Sequence, residues 1–148
     1  MTLSHAACPL CRDSGGRLVV QTPLWRVVRV EDDANFPAFY RLIWQDHVAE
    51  FSTLTPAERT VCMEAVAAIE RVLLAQLRPT KVNLASLGNV VPHLHWHVIA
   101  RFEWDSHFPN PIWGARQREV SGEAAARLAV PLTELDQHVI AALAGVHA

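Results

Sequence analysis

Three histidines alternate with apolar residues in the segment His93-Leu94-His95-Trp96-His97-Val98-Ile99. Successive side chains of a β-strand point to opposite faces, so His93, His95 and His97 are expected on one face. Leu94, Trp96 and Val98 would then anchor the other face in the core. Histidine has no special strand propensity, and three in such a row are better explained by chemistry than by packing. Two chemistries fit. The imidazoles could hold a catalytic metal that keeps one position open for water. Alternatively, one imidazole could attack phosphorus while its neighbours bind the phosphate oxygens. Alternate spacing on a strand suits both.

A second constellation lies near the N-terminus. Cys8-Pro9-Leu10-Cys11 has the two-residue spacing that lets two sulfurs grip one tetrahedral Zn²⁺, which needs two further ligands. The bland alternative is a pair of free thiols. The third cysteine, Cys62, falls within a helical pattern and reads as a small core residue. An odd count of three argues against a disulfide framework.

The elements that must position these groups are legible in outline. Residues 18–20 and 25–30 are β-branched runs split by Thr22-Pro23 and read as neighbouring strands, with a third at 40–44. The strongest helix signal starts at Thr55, where Thr55, Pro56 and Glu58 form a capping-box pattern. Val61, Ala65, Ile69, Val72, Leu73 and Leu77 then recur at helical spacing until Pro79 ends the run. Two more strands are expected at 81–87 and 93–102, joined through Gly88-Asn89. Residues 122–146 read as helical, with a short piece before Pro131 and a longer one after it. The predicted class is α+β, with about five mostly antiparallel strands, one long helix and a helical C-terminus. The 148 residues read as a single domain, with a core at about 17–102 and a C-terminal extension over 103–148.

Composition narrows the class of partner. A formal net charge of −2 offers no global attraction to nucleic acid. No apolar run is long enough to span a bilayer. The first residues, Met1-Thr2-Leu3-Ser4-His5, lack the features of a signal peptide, so a cytoplasmic location is the expectation by default.

The pattern over residues 93–99 matches, position by position, the signature of the histidine triad (HIT) family of nucleotide hydrolases and transferases. Upstream, 42–47 resembles that family's strand ending in a histidine, 51–58 its helix entry, and 82–84 the strand supplying an active-site Asn. The resemblance implies that His95 is the nucleophile toward an α-phosphate, forming a nucleotidyl-histidine intermediate without a catalytic metal. It implies that His97 donates to that phosphate, and that Asn83 lies near the phosphate. Glu31, or equally Asp32 or Asp33, falls near the residue that binds ribose hydroxyls. Some members carry a structural zinc, which here would sit on Cys8, Cys11, His47 and His93, with His5 a weaker substitute. The resemblance also implies a small nucleotide substrate and a homodimer. Substrates in the family's range include dinucleoside polyphosphates, nucleoside phosphoramidates and acyl-adenylates.

The chain departs from the family pattern before the triad. The segment there is Gly88-Asn89-Val90-Val91-Pro92, in which Asn89 is the one amide able to help a leaving group. Trp44 stands where a Pro is common, and Trp96 enlarges a usually aliphatic position. The segment 108–113 reads either as a cap on the sheet or as a wall of the base pocket. His107 and His138 read as isolated surface or packing residues. Residues 116–118 read as a solvated charge cluster or a phosphate contact.

Overall fold

Strands β2 (Trp25–Arg29) and β5 (His95–Arg101) bury nearly every residue, which a strand can do only if both sheet faces are covered. The computed structural model, which describes residues 5–146, shows what covers them. The Met1–Ser4 stretch considered above for a signal sequence lies outside the described residues. Five strands form one antiparallel sheet in the order β1-β2-β3-β5-β4, with β1 at Arg17–Gln21, β3 at Phe39–Trp44 and β4 at Lys81–Ala85. Every neighbouring pair is antiparallel.

One face packs on helices. The long helix α2 (Pro56–Leu77) begins at Thr55, whose side chain and that of Glu58 satisfy each other's backbone N–H groups. It ends at Arg78 in the left-handed region (φ 48°), immediately before Pro79. Its buried stripe, including Ala65, Ile69, Val72, Leu73 and Leu77, lies against Trp25, Tyr40, Leu42, Trp44 and Val98 of the sheet. The tail resolves as expected into a 3₁₀ turn at Ala124–Arg127 and helix α3 at Leu132–Leu143. Leu135 and Val139 of α3 join the same core.

Helix α3 also carries a buried charge. Asp136 receives two bonds from the Arg29 guanidinium (Nε to Oδ1, 3.0 Å; Nη2 to Oδ2, 3.1 Å) and one from the Tyr40 hydroxyl at 2.6 Å. Burial and then this bond to Asp136 push the Tyr40 pKa far above its ordinary value.

The opposite face holds the histidines. It is covered by the N-terminal segment, including the short helix α1 (Pro9–Arg12), and by the chain that follows β5. Leu10 packs on Val28 and Ile43 of this face. Arg26 reaches out from β2 to bind the carbonyls of Leu10 (2.7 Å), Asp13 (2.9 Å) and Ser14 (2.9 Å). A single side chain thus fastens the cysteine segment to the sheet.

The strand expected at 93–102 starts at His95, and the one expected at 81–87 ends at Ala85. Pro92 has no N–H to give a ladder, and His93 turns back to donate its N–H to the Val91 carbonyl at 2.8 Å. His93 therefore precedes the strand instead of belonging to it, and its ring is free to point elsewhere.

Candidate active site and metal centre

The β5 register places His95 opposite Ile43 and His97 opposite Arg41 of β3, with Ala85 of β4 opposite His97 on the other side. The His95 and His97 rings meet edge to face, with centroids 4.9 Å apart. His95 Nδ1–H donates to the His93 carbonyl at 2.6 Å. A carbonyl can only accept, so this bond fixes the proton on Nδ1 and leaves the lone pair of a neutral ring on Nε2. Ser86 adds a hydroxyl bond to the His95 carbonyl at 3.0 Å.

Both rings are held in the uncharged form. Burial pushes the His95 pKa down, the bond to the His93 carbonyl partly opposes this, and Arg41 pushes it down further. His97 is driven to about 3, first by burial and then by the neighbouring His95 and Arg41. The sign of the resulting pH dependence follows. Above the ordinary value of 6.5, His97 is neutral both folded and unfolded. As pH falls from there toward 3, the unfolded chain takes up the proton and the folded chain does not, so stability is lost across that window. At about pH 5 the loss from His97 is about 2 kcal/mol. Denaturant unfolding from about pH 7 to 4 should show this decline, and His97→Gln should flatten it in part, since His95 is shifted in the same direction. An unchanged slope would contradict the assignment.

The His93 ring faces a different group. Its Nδ1 lies 3.5 Å from the sulfurs of both Cys8 and Cys11 and 3.3 Å from His47 Nδ1, which in turn is 3.4 Å from Cys11 Sγ. Tetrahedral Zn²⁺ with bonds of about 2.3 Å to sulfur and about 2.05 Å to nitrogen requires S···N edges of about 3.5 Å and N···N edges of about 3.3 Å. These four distances match those edges, and all four ligand atoms lie within 4.8 Å of one another. His93 Nε2–H donates to the Trp44 carbonyl at 2.7 Å, the orienting bond that a metal-bound imidazole normally makes through its other nitrogen. The His5 ring, considered as a substitute ligand, instead stacks on His47 with centroids 5.0 Å apart. Among the described residues, this is the one group of three or more Cys, His or carboxylate donors close enough to share an ion.

The imidazoles of His95 and His97 open into a cavity of about 500 Å³ lined also by Arg41, Asn89, Val90 and Trp113. Trp113 closes one side, its ring 5.1 Å from that of His97. It is delivered by the segment after β5, which is organised around Asp105. That carboxylate takes two bonds from Arg101 (2.9 and 3.1 Å) and the N–H groups of Phe102, His107 and Phe108. Arg118 bonds the carbonyls of Asp105 and Phe108, so it is an internal staple of this segment, whereas Arg116 pairs with exposed Glu119. His107 bonds Ser106 and packs edge-on against Phe36, and His138 lies on the surface near Glu134.

The expected site residues divide accordingly. His95, His97 and Asn89 share the cavity, while His93 contributes its carbonyl to the bond with His95 and its ring to the Cys-His group. Asn83 lies opposite Ile99, two pairs further along the sheet from His97, with its Oδ1 accepting from Arg101 at 2.9 Å. It lines an adjoining groove that shares Trp113 as a wall. Glu31 and Asp33 line a separate cavity of about 470 Å³ beside Gly122 and Ala124. Arg41 and Trp113 were not singled out individually from sequence. The one cue for Arg41 was a cation in a strand whose neighbours are apolar.

Comparison with known proteins bears on this geometry. The HIT domain family model matches residues 14–104. A histidine triad protein of known structure from Bradyrhizobium japonicum is 25% identical, with 99% of this chain and 100% of that chain covered and a TM-score of 0.70. Another, from Marinobacter aquaeolei, is 20% identical over 90% of this chain and 93% of that one, with a TM-score of 0.69. A zinc-bound histidine triad family protein from Mycobacterium smegmatis shares the fold at 17% identity, with 93% and 94% covered and a TM-score of 0.60. No functionally curated protein matches the chain. The chain belongs to the histidine triad family, a family of nucleotide-binding hydrolases and transferases. No helix among the described residues is long and apolar enough to cross a membrane.

Proposed function

We propose that this protein is a nucleotide hydrolase or transferase in which His95 attacks the α-phosphorus of its substrate. The observation that carries the reading is the bond from His95 Nδ1–H to the His93 carbonyl, which leaves Nε2 as the nucleophilic atom at the cavity. In the first step the Nε2 lone pair forms a P–N bond as the bond from phosphorus to the leaving group breaks. The leaving group takes up a proton from solvent, and the Asn89 amide on the cavity wall could give it a hydrogen bond. Water then attacks phosphorus and releases a proton to solvent as the P–N bond breaks and its electron pair returns to Nε2.

His97 supports the reading from its own position. It is 5% exposed and its Nδ1 is buried with no hydrogen-bond partner. A buried polar atom of that kind calls for a partner, and a phosphate oxygen brought by the substrate supplies one. Asn83 would act at the edge of the site, and Glu31 or Asp33 would meet a ribose only across the neighbouring surface.

Cys8, Cys11, His47 and His93 would hold a structural zinc, a reading supported by their tetrahedral edge lengths and by the zinc-bound mycobacterial relative. Bound there, the ion would tie the N-terminal segment to the residue whose carbonyl orients His95. The donor set leaves His95 and His97 outside it, which favours the nucleophile over a triad-held catalytic metal. A homodimer remains part of the proposal by family analogy. Rapid-quench mass spectrometry with an adenosine phosphoramidate tests the mechanism. An adduct of nucleoside-monophosphate mass is expected on the peptide containing His95, and its absence during turnover would refute the covalent route.

A further inference from the structure

We infer that Arg41 is a phosphate-binding residue of this site, supplying the positive charge that its neutral imidazoles lack. The inference rests on the nucleotide reading above and adds to it a residue that the triad signature does not contain. Arg41 sits directly across the sheet from His97 and lines the same cavity as His95 and His97. Of the residues lining that cavity, it alone carries a formal charge.

Its hydrogen bonds are incomplete in a telling way. One terminal nitrogen, Nη1, donates to the Gly15 carbonyl at 3.1 Å. Nε is buried with no partner, and no carboxylate forms an ion pair with the guanidinium among the described residues. Burial works against the charge, and the nearby Asp32 only partly offsets that. A sheltered guanidinium without a counter-ion is an unfavourable arrangement unless an anion arrives to pair with it. The Gly15 bond and the Phe39 ring, 5.4 Å from the guanidinium carbon, fix where the fork lies before anything binds.

Gly15 itself is constrained to that task. Its φ of +85° is left-handed, and a Cβ there would come within 2.8 Å of Leu10 Cδ2. The cysteine segment therefore presents a carbonyl to Arg41 in a conformation that glycine adopts without strain.

The chemical consequence concerns oxyanions. In the attack by His95, negative charge stays on the non-bridging phosphate oxygens, and neither neutral ring offsets it. A planar guanidinium beside His97 can bind one or two of those oxygens in both the ground and transition states.

The test compares AMP and adenosine as ligands of the parent protein, Arg41→Met and Arg41→Lys, with turnover of an adenosine phosphoramidate measured alongside. Arg41→Met should bind AMP roughly 10- to 100-fold more weakly and adenosine within about threefold of the parent. Its kcat/KM should fall roughly 10²- to 10³-fold. Arg41→Lys keeps the charge and loses the fork, so its AMP affinity should fall between the other two. It also stands in if Arg41→Met fails to fold, as judged by its melting transition. Added guanidinium ion should restore part of the lost rate in Arg41→Ala. Parent-like AMP affinity and turnover in Arg41→Met or Arg41→Lys would overturn the role of Arg41 and leave the function intact. Equal loss of AMP and adenosine binding would also overturn it, by pointing to a structural effect. A parent protein that binds AMP no better than adenosine and turns over no phosphoramidate would overturn the functional reading itself.

Discussion

His95→Ala should abolish turnover of an adenosine phosphoramidate while AMP still binds within about tenfold of the parent affinity. The asymmetry follows from where the contacts lie. His95 would make its decisive bond to phosphorus only as the reaction proceeds, whereas His97 and Arg41 line the cavity before and during it. His97→Ala should accordingly weaken both binding and rate, because a donor to a phosphate oxygen acts in both states. The alanine at position 95 also removes the bond to the His93 carbonyl, so a melting curve must show that the fold survives. Full activity of His95→Ala would end the nucleophile hypothesis. A loss of AMP binding as large as the loss of rate would assign His95 to binding instead.

Metal-replete protein should contain one zinc per chain, and its removal should lower the melting temperature sharply while a brief activity assay continues. Four edges of 3.3–3.5 Å among Cys8, Cys11, His47 and His93, with all four ligand atoms within 4.8 Å, mean that little rearrangement separates the group from a tetrahedral complex. Binding energy delivered to a preformed site becomes folding stability, typically several kcal/mol. Cys11→Ser should reproduce the loss, since that sulfur is within contact of both His47 and His93. Elemental analysis without zinc would refute the assignment. Immediate loss of activity on chelation, restored by added metal, would instead make the ion part of the chemistry. A slow loss that tracks unfolding agrees with a structural role.

Local signals were legible in the sequence and distant ones were not. The Thr55–Glu58 capping box and the stripe from Ala65 to Leu77 involve residues within a few turns of one another, and both appear as expected. The alternation over residues 95–101 likewise delivers His95 and His97 to one face. The position of His93 depends on Pro92, on the Trp44 carbonyl and on a sulfur 85 residues away, so periodicity alone placed it in the strand. Family resemblance identified the Cys-His set, because spacing gave only its first two members. Arg41 escaped notice because its significance comes from its partner across the sheet and from the lack of a counter-ion. The segment after β5 has no period at all; Asp105 and two arginines hold it by bonds to backbone groups. The four residues of α1 are too few to show a helical repeat.

The bridge from Arg29 to Asp136 has a consequence for synthesis. Its partners are 107 positions apart, one on the second strand and the other in the last helix. At roughly 5–20 residues per second, a ribosome leaves about 5–20 seconds between them. Throughout that interval the nascent sheet has a cation on its inner face and lacks the helix that pairs with it. Until that helix docks, the Arg29 guanidinium lacks the carboxylate that pairs with it in the finished fold. A chain ending before Asp136 therefore lacks the carboxylate that pairs with Arg29 and accepts from Tyr40.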